Sequence, residues 1–434
     1  MLGAIIGDIV GSRYEFNNIK TEDFPLFDDK CRFTDDTVMT IAVFLGILNG
    51  KNDPEKTAKA IELSMAEYGN LYINAGYGPR FIKWIEAPVK EPYNSYGNGS
   101  AMRVSSIAGC FDDLKHVEQF AEISASVTHN HPEGIKGAKA IAGAAFIART
   151  GGTKDDVKNY IKNNYDYNID FTLYEIRPTY TFDVSCQGSV PVAIVAALEG
   201  RDFEDTIRKA VSVGGDSDTI ADMAGAIAEG FYGIPEDIKE KALTYLDERL
   251  RDGVKKYDEM LQKKIDDERR FKAACEFAAE KHKGQKRAGG ADYITHPLEV
   301  ARRLKDALYP IEYAITGVLH DVLEDTDATE EDILRLGGEE VLKAVKLLTK
   351  TEGYNMQTYM AGIASNDIAR MVKSADRIHN LECSVLRPID FRLKYMHETE
   401  NWFMGLDEGS RLDTTIEETY EELEKYNEIS LWDI

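Results

Sequence analysis

Cysteine is scarce: the 434 residues contain five, at positions 31, 110, 186, 275 and 383, with no CxxC pair among them. That scatter excludes a disulfide framework and a zinc-knuckle arrangement. Long apolar runs are missing too. Residues 2–11 are apolar, but Asp8 interrupts them and no Lys or Arg precedes them, so the stretch does not read as a secretory leader. Nowhere do the roughly 18–20 apolar residues of a membrane span occur together. Basic residues are outnumbered, 52 Lys and Arg against 76 Asp and Glu, for a formal net charge of −24. A surface that acidic repels phosphate backbones and anionic lipids, which argues against non-specific nucleic-acid binding and against membrane association. Small anionic ligands remain admissible, because bound divalent cations reverse the local field. These absences predict a cytoplasmic protein that meets nucleotides through metals.

What is present is ordinary core-forming composition, 43% hydrophobic, over a length that exceeds one common domain. Apolar residues recur with a 3.6-residue period over 37–48, where Val38, Ile41, Ala42, Leu45 and Leu48 share a face, and helices are predicted at 54–68, 114–127, 134–149, 191–198 and from 219 onward. Ala- and Gly-rich stretches allow close helix packing. No alternating β-branched run supports a sheet, so the expected class is all-α. A charged run over 247–270 reads as a solvated helical connector. The expected organisation is a first domain over 1–257, a linker over 258–270 and a second helical domain over 271–434. In the last of these, Ile416, Tyr420 and Leu423 place an acidic helix at the end of the chain.

Two motifs in the first half share a design. Thr34-Asp35-Asp36-Thr37 and Gly215-Asp216-Ser217-Asp218-Thr219 each stand immediately before a periodic apolar segment. One Asp, Ser or Thr suffices to cap a helix. Two acids in each exceed that need, and four converging carboxylates require cations. Oxygen donors without His or Cys favour Mg²⁺.

With Gly3-Ala-Ile-Ile-Gly7-Asp8-Ile-Val-Gly11-Ser12-Arg-Tyr-Glu15 ahead of them, these motifs resemble the ADP-ribosylglycohydrolase family. Ser95-Tyr96-Gly97-Asn98-Gly99-Ser100-Ala101-Met102-Arg103 resembles that family's ligand-cradling loop, and Thr128-His129 a Thr-His near the bound ribose. The resemblance covers about 250 residues in order. It implies a helical fold that hydrolyses the glycosidic bond at ribose C1″ of an ADP-ribosylated protein or nucleic acid. It also implies two Mg²⁺ ions held by Thr34, Asp35, Asp36, Asp216, Asp218 and Thr219, with Asp35 and Asp36 also serving catalysis. Glu15 becomes the acid near the scissile bond, and Tyr96, Gly97, Asn98, Gly99, Ser100 and His129 the ligand contacts.

The second half carries His296-Pro297, His320-Asp321-Val-Leu-Glu324-Asp325 and Asp376-Arg377-Ile-His379-Asn380. An apolar helix is predicted over 312–323, which puts Glu324 one turn after His320 and Asp325 one turn after Asp321 on one helical surface. Two imidazoles and two carboxylates suit Mn²⁺ or Fe²⁺ and are workable with Zn²⁺. The set resembles the RelA/SpoT-type HD hydrolases. The resemblance implies one Mn²⁺ on His296, His320, Asp321 and Asp376, water activation by Glu324 and Asp325, and nucleotide contacts from Arg287 and Asn380. The implied reaction removes pyrophosphate from the 3′ position of a guanosine polyphosphate. The family often has a basic residue after the loop arginine, where this chain has Ala288, so a related phosphorylated nucleotide such as NADPH stays open as substrate, as does a sensor role for one domain without turnover. Nothing in the pattern calls for His379 or His397 as ligands, and both read as structural.

Overall fold

The computed structural model describes residues 1–432, with side chains to residue 428. Among the described residues every extended regular element is a helix, and strand-like pairing is confined to the single bridges Gly97–Ser185 and Lys286–Asp292. No helix among them is long and apolar enough to cross a membrane. The all-α class is as the periodicity predicts. The chain divides into two units, Met1–Gln262 and Lys263–Ile434. It passes from one to the other inside the helix Glu248–Lys281.

In the first unit the helix Leu2–Gly11 is buried along its whole length and lies against Ser217–Tyr232. Glycine makes the approach possible. A Cβ on Gly7 would stand 2.0 Å from Ala221 O, and one on Gly3 2.4 Å from Gly225 O. Gly3, Gly7 and Gly11, spaced by four, clear one face of the helix, so the two backbones meet without side chains between them. Asp35–Gly50 packs on Pro54–Leu71, while Pro132–Arg149 and Cys186–Glu199 flank Ser217–Tyr232. The helix predicted from 191 begins earlier, at Cys186, because Ser185 caps it by accepting from Gly188 N at 3.1 Å. Pro191 lies inside that helix.

The second unit packs Thr295–Asp306, Ile311–Leu319, Glu339–Leu348 and Asp367–Cys383 around buried Val300, Leu304, Val318, Val345, Val372 and Ile378. Ile416 and Leu423 of the last helix, Ile416–Trp432, enter the same core beside Phe403.

One predicted element is corrected. Residues 312–323 are not a single helix: Ile311–Leu319 ends before His320-Asp321, and a separate turn, Val322–Asp325, follows. The His320 imidazole explains the break. Its Nδ1 bonds Gly317 O at 2.7 Å, the carbonyl that the next N–H of a continuing helix would need. Asp321 adopts φ −100°, ψ −9°, a bridge conformation common at functional residues. Glu324 and Asp325 therefore do not extend one helical face from His320 and Asp321.

Candidate active sites

The first site forms where three helix ends converge. Gly214 and Gly215, at φ +71° and +75°, turn the chain into the start of Ser217–Tyr232. Only glycine serves at 215, where a Cβ would also meet the Tyr180 ring at 2.5 Å. The turn delivers Asp216 and Asp218, while the start of Asp35–Gly50 delivers Asp36. Carboxylate oxygens of Asp36, Asp218 and Asp8 lie within 4.8 Å of one another, as do those of Glu15, Asp216 and Asp218. The two groups share Asp218. Asp35 stands outside both, half-buried, with its N–H on Ala75 O at 3.1 Å and its carboxylate against Gly76.

Asp8 is the residue that sequence reasoning missed. Its Oδ2 accepts from Thr34 N (2.9 Å), Thr37 N (3.2 Å) and the Thr37 hydroxyl, and its Oδ1 accepts from Thr34 Oγ1 at 2.7 Å. Four donors use the lone-pair capacity of one carboxylate. Asp8 therefore holds the Thr34–Thr37 turn in place. With its hydroxyl proton on Asp8, Thr34 Oγ1 accepts from Asp36 N at 3.4 Å and caps the helix, which leaves one lone pair of that oxygen unused. The available signal was an acid inside an otherwise wholly apolar, buried helix.

Burial makes this cluster costly without cations. It pushes the Asp36 and Asp218 carboxyls well above their ordinary range, with the neighbouring acids adding to the effect. Burial and then Asp8 raise Asp35 to about 8, and burial and then Asp216 raise Glu15 to about 7. Asp36 Oδ1 is buried with no hydrogen-bond partner. An orphaned oxygen among hard donors fits a divalent cation of the Mg²⁺ kind.

The loop 96–100 borders this cluster. Asn98 Nδ2 donates to Asp216 Oδ2 at 2.7 Å, so its amide is tied to a carboxylate of the site. Ser100 is fully buried, with its hydroxyl on Gly134 O at 2.7 Å. Tyr96 is exposed, edge-on to His131. His129 is buried with Nδ1 against Thr128 Oγ1 at 2.7 Å, and its Nε2 faces Gly97 and Gly99. The Thr128 hydroxyl oxygen itself accepts from Arg103 at 3.0 Å.

In the second unit His296, His320 and Asp376 present ligand atoms within 4.8 Å of one another. His296 Nε2 lies 3.0 Å from Asp376 Oδ1 and 3.8 Å from Asp321 Oδ2, and His320 Nε2 lies 3.1 Å from Asp321 Oδ2. His320 Nε2 is buried without a hydrogen-bond partner. A buried, unpaired ring nitrogen amid two carboxylates and a second imidazole fits a borderline cation, which would take the place of the proton there. Burial alone would lower the His320 pKa, but Asp321 and then Asp376 overcome it and raise it to about 9. Burial opposes ionisation of Asp376, yet Lys373, at 2.7 Å, and His296 hold it well below the usual range.

Beside His296, Asp321 and Asp376 a cavity of about 350 Å³ opens. Arg287 and Asn380 line it and bond each other, Arg287 NH2 to Asn380 Oδ1 at 2.9 Å, while Asn380 Nδ2 donates to Asp376 Oδ1 at 2.5 Å. The predicted nucleotide contacts are thus coupled to Asp376. Glu324 and Asp325 are exposed on the cavity rim; Glu324 accepts from Lys350 N at 2.9 Å. Tyr293, not singled out from the sequence, donates its hydroxyl toward Asp321 (2.6 Å) and Asp325 (3.1 Å), joining the two acids.

Both centres belong to metal-dependent hydrolases, and the protein is a two-domain hydrolase. The chain belongs to the ADP-ribosylglycohydrolase family, whose model matches residues 1–272, and an HD domain follows at 274–414. Among curated relatives, the GTP pyrophosphokinase rsh of Brucella melitensis biotype 1 is 35% identical over 141 residues, 30% of this chain and 19% of its own length. The guanosine-3′,5′-bis(diphosphate) 3′-pyrophosphohydrolase of Aquifex aeolicus is 30% identical over 184 residues, 35% of this chain and 26% of its own. This chain thus spans only about a fifth to a quarter of those relatives. A solved ADP-ribosylglycohydrolase-related protein complex aligns at 20% identity and TM-score 0.44, covering 56% of this chain and 94% of that one.

Proposed function

We propose that the first domain releases ADP-ribose from an ADP-ribosylated acceptor and that the second hydrolyses the 3′-pyrophosphate of a guanosine polyphosphate or a related nucleotide. The reading takes 1–257 and 271–434 as the working domains and 258–270 as their connector. The observation that carries it is the pair of chemically distinct donor sets, oxygen-only in one unit and imidazole-carboxylate in the other, each with an orphaned buried atom.

In the first domain Asp36, Asp216, Asp218, Thr34 and Thr219, with Asp35 beside them, hold two Mg²⁺ ions. Bound there, the ions supply polarisation of a ribose hydroxyl or of water. Glu15, half-buried in one cluster with Asp216 and Asp218, exchanges a proton with the attacking water. The loop 96–100 and His129 bind the diphosphate-ribose portion, the glycines by admitting it close to backbone N–H groups. In the second domain His296, His320, Asp321 and Asp376 would hold one Mn²⁺, which would make a nearby water more acidic. Glu324 and Asp325 position the attacking water, with the Tyr293 hydroxyl bonded to Asp325. Arg287 and Asn380 bind the nucleotide's phosphates. Similarity to the Aquifex guanosine-3′,5′-bis(diphosphate) 3′-pyrophosphohydrolase supports this substrate class.

The test is a product assay on the full chain with metals exchanged. Mg²⁺ is expected to support ADP-ribose release from arginine-, serine- or DNA-linked substrates, and Mn²⁺ to support GDP and pyrophosphate formation from ppGpp. Asp218→Asn should abolish only the first activity and His320→Ala only the second. Absence of ADP-ribose release from every linkage, or ppGpp turnover that survives His320→Ala, would overturn the corresponding half.

A further inference from the structure

The two imidazoles of the second site are held in different ways. His320 uses a backbone carbonyl: its Nδ1 bonds Gly317 O at 2.7 Å, which leaves Nε2 bare toward the carboxylates. His296 has no such oxygen. Its Nδ1 lies 2.7 Å from Nδ1 of His379, and the two rings are nearly parallel, with centroids 5.0 Å apart. Two ring nitrogens at that distance need one proton between them. When His296 gives its Nε2 lone pair to a cation, the neutral ring carries its proton on Nδ1. His379 Nδ1 is then the acceptor, and the His379 proton resides on Nε2. That nitrogen has its own neighbour, Cys383 Sγ at 3.3 Å.

We infer that His379 is a positioning residue for the second metal centre: by accepting the Nδ1–H of His296 it fixes that ring's tautomer and turns Nε2 into the site. The inference rests on the assignment of His296 as a ligand. The geometry follows from one helix, Asp367–Cys383. Asp376, His379, Asn380 and Cys383 fall at i, i+3, i+4 and i+7, so a single face supplies a ligand, the support for another ligand and the amide coupled to Arg287. An imidazole nitrogen offers one lone pair where a carbonyl offers two, so it constrains its partner's direction more tightly. Partners of this kind typically contribute 10- to 100-fold in metal affinity.

The experiment is a Mn²⁺ titration of the full chain, followed by the electron paramagnetic resonance of the free ion, with Mg²⁺ in excess to occupy the oxygen-only site. His379→Ala is expected to weaken Mn²⁺ uptake by about 10- to 100-fold, and His379→Asn, whose Oδ1 replaces the acceptor, to stay within about threefold of wild type. Circular dichroism melts establish folding, and His379→Leu stands in if the alanine variant does not fold. Wild-type affinity in the folded Ala or Leu variant overturns the inference. Equal weakening in the Ala and Asn variants also overturns it, since packing and not acceptance would then be the role. A wild-type protein that takes up no Mn²⁺ refutes instead the ligand assignment underneath.

Discussion

Thr34 Oγ1 donates to Asp8 Oδ1 at 2.7 Å, a bond between residues 26 positions apart that ties the first metal-fitting turn to the buried helix Leu2–Gly11. Asp8→Asn would place an NH₂ group where one of two fully used acceptors stands, opposing donors with a donor. A loss of about 2–4 kcal/mol is expected, from several charge-assisted hydrogen bonds and the stranded N–H groups of Thr34 and Thr37. Mg²⁺ affinity of the first unit should fall as well, although Asp8 is itself saturated with protein donors. Denaturant melts with and without Mg²⁺ measure both effects, and unchanged values would dismiss the anchoring role.

Gly7 transmits the same relationship through packing. A Cβ there would overlap the Ala221 carbonyl at 2.0 Å, which is backbone and cannot rotate away. Gly7→Ala should force Leu2–Gly11 off Ser217–Tyr232 at a cost of about 1–3 kcal/mol. Because Asp8 and Asp218 sit on the separated helices, Mg²⁺ binding should weaken in parallel. Calorimetric titration of Gly7→Ala against the wild type checks the pairing; a stability loss with intact Mg²⁺ affinity would separate packing from site geometry.

The pH dependence has a definite sign. Glu15 and Asp35 have folded pKa values of about 7 and about 8, above their ordinary 4.5 and 3.8, because burial and nearby acids disfavour ionisation. In the metal-free protein the folded state therefore binds more protons than the unfolded one across this window. Stability should decline as pH rises from about 4 to about 8. Mg²⁺ should restore it, most at the alkaline end, with proton release on binding. Melting temperatures in EDTA and in Mg²⁺ across this range test the claim, and Glu15→Gln should flatten part of the EDTA profile.

Arg287 holds the Asn380 amide oxygen while the Asn380 NH₂ group donates to Asp376. Arg287→Ala removes a cation from the cavity and leaves Asp376 in place. About a tenfold or greater rise in KM for ppGpp is expected, from the loss of a charge-assisted contact of about 1.5–3 kcal/mol. Mn²⁺ affinity should change little. Steady-state kinetics alongside a Mn²⁺ titration distinguishes this from a metal defect, and an unchanged KM would remove Arg287 from the nucleotide site.

The sequence by itself determined the helical class, the helices over 37–48, 54–68, 114–127 and 134–149, and the chemistry of both donor sets. These are local properties: a 3.6-residue period, a capping residue or an acid pair is visible within a few positions. Tertiary structure decided how each predicted residue is used. Asn98 meets Asp216 across 118 positions and His296 meets His379 across 83, distances that no periodicity reports. The helix break at His320 also depended on the fold, because a ring competing for Gly317 O outweighs an apolar pattern that reads as continuous. Asp8 and His379 looked like an interruption and a bystander in the chain. Burial favours pairing of polar groups, and in the fold it sets Asp8 against Thr34 and Thr37 and His379 against His296.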